Sequence, residues 1–175
     1  MTKPISAMAT LAALALVLAA CGGSTTATGV QTAPSAGLTA QPTTATTPLP
    51  AALSTKPTVT VPKGPPPKTL VVKDIIKGTG PAATASSTVT VQYVGVLYKN
   101  GKQFDASWND SSGQPTSFSL AGGVIQGWTK GIAGMRVGGR RELIIPPNLA
   151  YGSKSQPKIP ANSTLVFVVD LHSIS

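Results

Sequence analysis

"VIQGWTKGIAGM", residues 124–135, is the stretch that decides the fold. Trp128, Ile132 and Met135 follow the i, i+4, i+7 spacing of one helical face, which predicts a short helix from Trp128 to Met135. The stretch also holds three glycines, and each glycine inside a helix costs about 1 kcal/mol relative to alanine. A sequence rarely accepts that cost in a plain surface helix, so the tryptophan and the glycines call for a further role.

The N-terminal segment is typical of a bacterial lipoprotein signal. Lys3 supplies a positive charge, and residues 5–20 are apolar or small, shorter than the roughly 20 residues that a membrane-spanning helix needs. The run "LAAC" resembles a lipobox, and its Cys21 is the one cysteine of the chain, so it has no disulfide partner. We expect residues 1–20 to be a lipoprotein signal peptide and Cys21 to carry the acyl chains of a stable anchor. An ordinary secretory signal with a chance cysteine is the alternative.

Residues 22–66 have the composition of a disordered tether. They contain no aromatic and no acidic residue, and their only charges are Lys56 and Lys63. Such a segment buries too little apolar surface to offset its ordering entropy, and its later prolines favour an extended polyproline conformation. We therefore expect an acylated, disordered tether over residues 21–66 and one folded domain over residues 67–175.

The charge balance is basic, with 14 Lys and Arg against 5 Asp and Glu, for a net charge of +9. A basic chain raises nucleic acid as a partner. Here the basic residues are scattered, and the adjacent pair Arg140-Arg141 would point to opposite faces of a strand. We expect no nucleic-acid partner, and instead an attraction to an anionic envelope surface or to acidic client proteins.

Runs of β-branched and alternating residues predict six strands. The pattern is clearest before Asn100-Gly101, a dipeptide that is a strong hairpin-turn signal. The predicted fold class is α+β, with an antiparallel sheet curled around one short helix. The strands are predicted at residues 69–76, 88–98, 102–107, 118–120, 139–146 and 164–174.

Residues for covalent, metal or strong acid–base catalysis are scarce. Hydrolysis needs a nucleophile and a base, and the single histidine, His172, lies in the last predicted strand, where an edge position explains it better than a catalytic role. No His, Cys, Asp or Glu cluster has metal-ligand spacing, and no phosphate-binding glycine loop is present. The sequence predicts no metal and no cofactor, and any enzyme chemistry would be non-covalent.

Three ordered motifs resemble the FKBP-type peptidyl-prolyl cis-trans isomerases. They are "VQYVGVLYKNGKQFDAS" (91–107), "FSLAGGVIQGWTKGIAGMRVGGRRELIIPPNLAYGS" (118–153) and "IPANSTLVFVVDLHSI" (159–174). Together they span nearly the whole predicted domain. The resemblance implies a bent antiparallel half-barrel wrapped around one short helix, and catalysis of rotation about X–Pro bonds.

The resemblance also implies an apolar pocket. Trp128 would form its floor, Val124 and Ile125 would form one wall, and the Ile125 N–H would hydrogen-bond the bound peptide. The Asp105 carboxylate lies next to a pocket phenylalanine and needs a partner, and the Tyr93 hydroxyl is the expected one. Many family members also have a basic residue in the following loop, but residues 106–117 contain no Arg or Lys. Core packing is the alternative role for the three phenylalanines. The implied catalytic residues are Tyr93, Phe104, Asp105, Trp128, Tyr151 and Phe167, and the implied substrate-binding residues are Phe118, Val124, Ile125 and Ile159.

The predicted function is peptidyl-prolyl isomerisation that assists the folding of exported proteins. The alternative is a peptide-binding module or chaperone with weak or no turnover. Expected partners are proline-containing unfolded or exported proteins, with macrolides such as rapamycin and tacrolimus as candidate ligands. We expect a monomer that is lipid-anchored to a membrane of the cell envelope, with its domain outside the cytoplasm.

Overall fold

One antiparallel sheet dominates the part of the chain that the computed structural model describes, residues 48–109 and 113–175. Its strands there are β1 (Val71–Ile76), β2 (Thr88–Leu97), β3 (Gln103–Ala106), β4 (Thr116–Ser119), β5 (Arg140–Ile145) and β6 (Leu165–Ile174). The strand order is β1-β5-β6-β2-β3, and β4 pairs with the first half of β2. One helix, α1 (Gln126–Ile132), lies against the sheet, and short 3₁₀ turns span Ala51–Ser54, Ser107–Asn109 and Pro147–Leu149. The predicted fold class is confirmed.

The hairpin between β2 and β3 forms at the predicted turn. Gly101 has a φ of +68°, in the region that glycine adopts without a steric penalty. Its N–H donates to the Leu97 carbonyl at 2.8 Å, and the Leu97 N–H donates to the Lys102 carbonyl at 2.9 Å. This tight turn brings β3, and with it Phe104 and Asp105, beside the middle of β2.

The inner face of the sheet packs on α1. Gly127 and Gly131 permit the contact, because a Cβ at Gly127 would overlap the Ile145 side chain and one at Gly131 would lie 2.7 Å from Leu143 Cδ2. The close approach that the glycines predict is therefore present. The buried inner core includes Val89, Val91, Trp128, Ile132, Leu143, Ile145, Leu165, Phe167, Val169 and Leu171.

The helix bounds differ from the predicted 128–135. The helix begins at Gln126 and ends at Ile132, because Gly134 has a φ of +78° and turns the chain out of the helix. Met135 is 2% exposed. It therefore belongs to the buried face, as its spacing predicts, but it lies in the turn after the helix. Apolar periodicity identified the buried face correctly and misplaced both ends of the element.

The two adjacent arginines lie on opposite faces of β5, as predicted. Arg141 pairs with Asp74 at 2.6 Å and donates to the Gly131 carbonyl at 2.8 Å, so it caps the C-terminal end of α1. Arg140 makes two hydrogen bonds, of 2.6 and 2.7 Å, to the buried Asp170 opposite it on β6. Arg141 therefore joins β5 to β1 and α1, and Arg140 joins β5 to β6.

Residues 50–66, which we name the strap, pack against the outer face of the sheet. Leu53 is 1% exposed and Pro57 is buried. Val59 and Val61 pack on an outer cluster that includes Val94, Val96, Tyr98, Ile144 and Val166. The predicted tether boundary at residue 66 is therefore wrong for the described residues. The strap covers the outer face of β2, β5 and β6, and β6 is buried from Leu165 to Leu171.

Residues 1–47 and 110–112 lie outside the described part of the chain. The predicted signal peptide, Cys21 and the first part of the predicted tether fall there. Within residues 48–109 and 113–175, no helix has both the length and the hydropathy to cross a membrane.

Candidate active site

An aromatic pocket of about 430 Å³ opens between the inner face of the sheet and the N-terminal end of α1. Trp128, the first bulky residue of the helix, is 4% exposed. Val124 and Ile125 precede the helix and are half-buried. The lining comprises Tyr93, Phe104, Asp105, Phe118, Gly123, Val124, Ile125, Trp128, Tyr151 and Phe167. The structure therefore brings together nine of the ten residues that the resemblance assigns to the site.

The rings hold one another in edge-to-face contacts. The Trp128 ring centroid lies 5.2 Å from that of Tyr93 and 5.4 Å from that of Phe167, at interplanar angles of 83° and 82°. Phe118 meets Trp128 at 5.3 Å, and Phe104 meets Phe167 at 5.5 Å. Edge-to-face pairs contribute about 0.5–1.5 kcal/mol each beyond area burial. The ring network therefore keeps the cavity open and apolar.

Gly95 makes room for two of these rings. It lies on β2 opposite Phe167 of β6, and a Cβ there would approach Phe104 Cζ to 2.7 Å and Phe167 Cε1 to 2.8 Å. Such distances require the rings to move. Glycine at this position therefore sets the width of the pocket.

Asp105 lies at the pocket rim, with two donors for its carboxylate. The Tyr93 hydroxyl donates to Oδ2 at 2.7 Å, which confirms the predicted partner, and the Ala106 N–H donates to Oδ1 at 2.9 Å. Among the described residues, the two ion pairs do not involve Asp105. Asp105 is exposed, and these two donors take the place of the basic partner that the sequence lacks.

Tyr151 and the Ile125 N–H supply further hydrogen-bond donors in the pocket lining. Burial raises the pKa of the Tyr151 phenol above its usual 10.0, and the nearby charge of Asp105 raises it further. The hydroxyl therefore remains a donor at neutral pH. The Ile125 carbonyl accepts from the Trp128 N–H at 2.9 Å, while the Ile125 N–H donates to no backbone carbonyl in the described residues.

Two assignments differ from the expected set. Ile159 is not part of the pocket lining; it is 5% exposed and packs in the inner core. Its N–H and carbonyl both bond Gln156, which turns the side chain inward. Gly123 lines the pocket and was not predicted. The signal that could have identified it is its position directly before Val124, a predicted pocket residue.

His172 lies away from this pocket. It belongs to β6, a central strand, but the pairing with β5 ends at Asp170, and His172 falls at the register shift opposite β2, so among the described residues it has no paired residue on either side. Burial lowers the pKa of its imidazole below the usual 6.5, although the Asp170 charge opposes the shift. Within the part of the chain that is described, no group of three or more His, Cys, Asp or Glu side chains is placed to hold a metal ion.

Comparisons with known proteins agree with this geometry. Residues 80–172 match the model of the FKBP-type peptidyl-prolyl cis-trans isomerase family. The chain is 53% identical over 122 residues to an FK506-binding protein of Streptomyces anulatus, covering 68% of this chain and 97% of that protein. It is 48% identical over 118 residues to a probable FK506-binding protein of Corynebacterium glutamicum, covering 67% and 98% of the two chains.

A solved structure shares both the fold and the sequence. The crystal structure of a peptidyl-prolyl cis-trans isomerase from Pseudomonas syringae pv. tomato is similar, with a TM-score of 0.55 and 34% identity, over 71% of this chain and 86% of that one. The chain belongs to the FKBP-type family, and it is a peptidyl-prolyl cis-trans isomerase.

Proposed function

We propose that this isomerase acts on unfolded polypeptides outside the cytoplasm, tethered to a membrane through an acylated Cys21. The observation that carries the catalytic part is the pocket itself, in which a network of five rings and the helix start enclose an apolar site with donors at its rim. The exported location is supported by the N-terminal sequence pattern, which lies outside the described residues.

The barrier to rotation comes from the partial double bond of the peptide C–N, which makes it about 18–20 kcal/mol. The twisted amide of the transition state has lost resonance and carries less charge separation than the planar ground state. An apolar floor formed by Trp128, 4% exposed, therefore favours the twisted form over the planar one. Catalysis of this kind needs no nucleophile and no metal.

The rim donors orient the substrate during rotation. The Ile125 N–H and the Tyr151 hydroxyl would bind carbonyl groups that flank the proline, because both donors lie at the pocket edge. Asp105 keeps Tyr93 in place through their 2.7 Å hydrogen bond. The backbone on one side of the X–Pro bond is thereby held while the other side turns.

The test is NMR exchange spectroscopy of a proline tetrapeptide with the full-length protein. We expect faster cis–trans exchange, and a loss of at least tenfold in kcat/KM for Trp128→Leu. Trp108→Leu is the matched control, because Trp108 packs on the outer cluster, away from the pocket. Comparable losses in both variants, or no acceleration by the wild-type protein, would contradict the proposed use of this pocket.

Macrolide binding tests the same cavity. Two relatives are named for binding FK506, and we propose that this chain binds FK506-type ligands such as tacrolimus and rapamycin in the aromatic pocket. Rapamycin should abolish the accelerated exchange. Rapamycin binding without any acceleration of exchange would instead favour the peptide-binding or chaperone function.

The membrane anchor and the assembly state need separate experiments. Metabolic labelling with a fatty acid should mark the wild-type chain and not Cys21→Ser, and cell fractionation should place only the wild-type chain with membranes. We also propose a monomer, which light scattering of the full-length protein in detergent tests directly. An unlabelled wild-type chain would refute the anchor without touching the isomerase activity.

A further inference from the structure

A second cavity, of about 1040 Å³, lies beside the strap and shares no lining residue with the catalytic pocket. Its walls come from three parts of the chain: residues 59–66 of the strap, residues 97–101 at the β2–β3 turn, and residues 160–164 before β6. These parts are distant in sequence. The cavity therefore exists only because the strap docks on the sheet.

Tyr98 joins the three walls. It is 9% exposed, and its hydroxyl lies 3.4 Å from the Pro65 carbonyl of the strap. Its N–H donates to the Thr164 carbonyl at 3.0 Å. The strap also approaches the hairpin turn, since a Cβ at Gly101 would lie 3.8 Å from Val61 Cγ2. The cavity walls are thus held by packing and hydrogen bonds, so the cavity is a formed groove in the folded protein.

The groove has a positive border. Lys99 lines it, and Lys63 and Lys102 are exposed next to its lining residues. Residues 57–73, 97–104 and 157–164 contain no Asp or Glu. Both ion pairs among the described residues use arginine, so no carboxylate in that part of the chain neutralises these lysines. An anionic occupant would therefore gain attraction without displacing an internal partner.

The strap also offers open backbone. Residues 59–61 make no backbone–backbone hydrogen bond in the described part of the chain, although Val59 and Val61 are half-buried on the sheet. Backbone N–H and C=O groups that have no backbone partner can pair with a second, extended chain, as in strand addition. Proline and valine in the walls give that second chain apolar contacts. A groove of this shape fits a peptide better than it fits the flat surface of a membrane.

We propose that this groove binds an acidic, extended segment of a client polypeptide. The client would be held there while one of its X–Pro bonds turns in the aromatic pocket. The inference rests on the proposed function, because it takes unfolded polypeptides to be the substrates. It adds a second contact that selects clients by charge, in addition to the proline that the pocket recognises.

The test measures fluorescence anisotropy of a labelled ten-residue peptide of alternating Glu and Val, without proline, added to the full-length protein. Replacing each Glu by Gln should weaken binding at least tenfold. Lys63→Glu/Lys99→Glu should weaken binding of the acidic peptide at least tenfold. The matched control is Lys73→Glu/Lys77→Glu, which makes the same charge change at exposed positions outside the groove and should stay within threefold of wild type.

Three results would refute the binding of an acidic peptide in the groove. They are equal peptide binding by both double variants, displacement of the acidic peptide by a proline tetrapeptide, and no measurable binding of the peptide by the wild-type protein. If Lys63→Glu/Lys99→Glu weakens binding to phosphatidylglycerol vesicles and leaves peptide binding unchanged, the lysines serve a membrane surface and the proposal is refuted. Exchange of an uncharged proline tetrapeptide should be the same in all variants. A wild-type protein that fails that assay refutes the proposed function, and the peptide result still decides the groove.

Discussion

Truncating Leu53 to alanine tests whether the strap belongs to the fold. Leu53 is 1% exposed in the 3₁₀ turn Ala51–Ser54, and the Arg140 guanidinium donates to the Thr55 carbonyl just after that turn at 2.9 Å. Buried Leu→Ala changes cost about 2–5 kcal/mol. A strap on the surface can settle partly into the space, so we expect about 2–3 kcal/mol, in the lower half of that range.

Thermal unfolding of the full-length protein measures the effect. For a folded unit of this size, each kcal/mol lowers Tm by about 4 °C, so Leu53→Ala should lower it by about 8–12 °C. Leu49→Ala is the control, because Leu49 is 39% exposed and only four residues away. A Tm for Leu53→Ala within 2 °C, or about 0.5 kcal/mol, of that of Leu49→Ala would refute the packed strap and restore a tether reaching to residue 66.

Three further predictions concern the pocket and β6. Gly95→Ala should reduce kcat/KM about tenfold, because the added Cβ displaces two pocket rings. Gly122→Ala is the control and should leave kcat/KM unchanged, because Gly122 has open space around it. Equal kcat/KM values for the two variants would contradict the steric argument. Tyr93→Phe removes the 2.7 Å bond to Asp105, worth about 1 kcal/mol, so a fall of about fivefold in kcat/KM is expected, and an unchanged rate would show that the bond does not matter for catalysis. Burial lowers the pKa of folded His172 below 6.5, so its imidazole binds a proton more readily in the unfolded chain. The stability of the folded protein should therefore fall as pH drops through 6.5. If His172→Gln leaves the slope of Tm against pH unchanged, His172 is not the cause of the pH dependence.

The catalytic pocket was largely predictable because its residues lie in local motifs. The stretch 124–135 contains the floor of the pocket, one of its walls and the glycines that allow helix and sheet to touch. All of these residues therefore lie within one short sequence motif. The Tyr93–Asp105 bond was also predictable, since both residues belong to one hairpin. Ile159 was misassigned because its motif does not determine the direction of its side chain, which the local pairing with Gln156 turns into the core.

The sequence by itself determined the helix face, the six strands, the hairpin turn and nearly all of the pocket, because spacing and turn chemistry act over a few residues. Only the tertiary structure decided that residues 50–66 are ordered and that His172 lies in a central strand. A strap rich in Thr and Pro has little intrinsic reason to order. Its stability comes from the outer face of β2, β5 and β6 and from Arg140, which pairs with Asp170 and donates to the strap. Many of these residues lie about a hundred positions further along the chain. Contacts of that sequence separation leave no signature in the local composition of either partner.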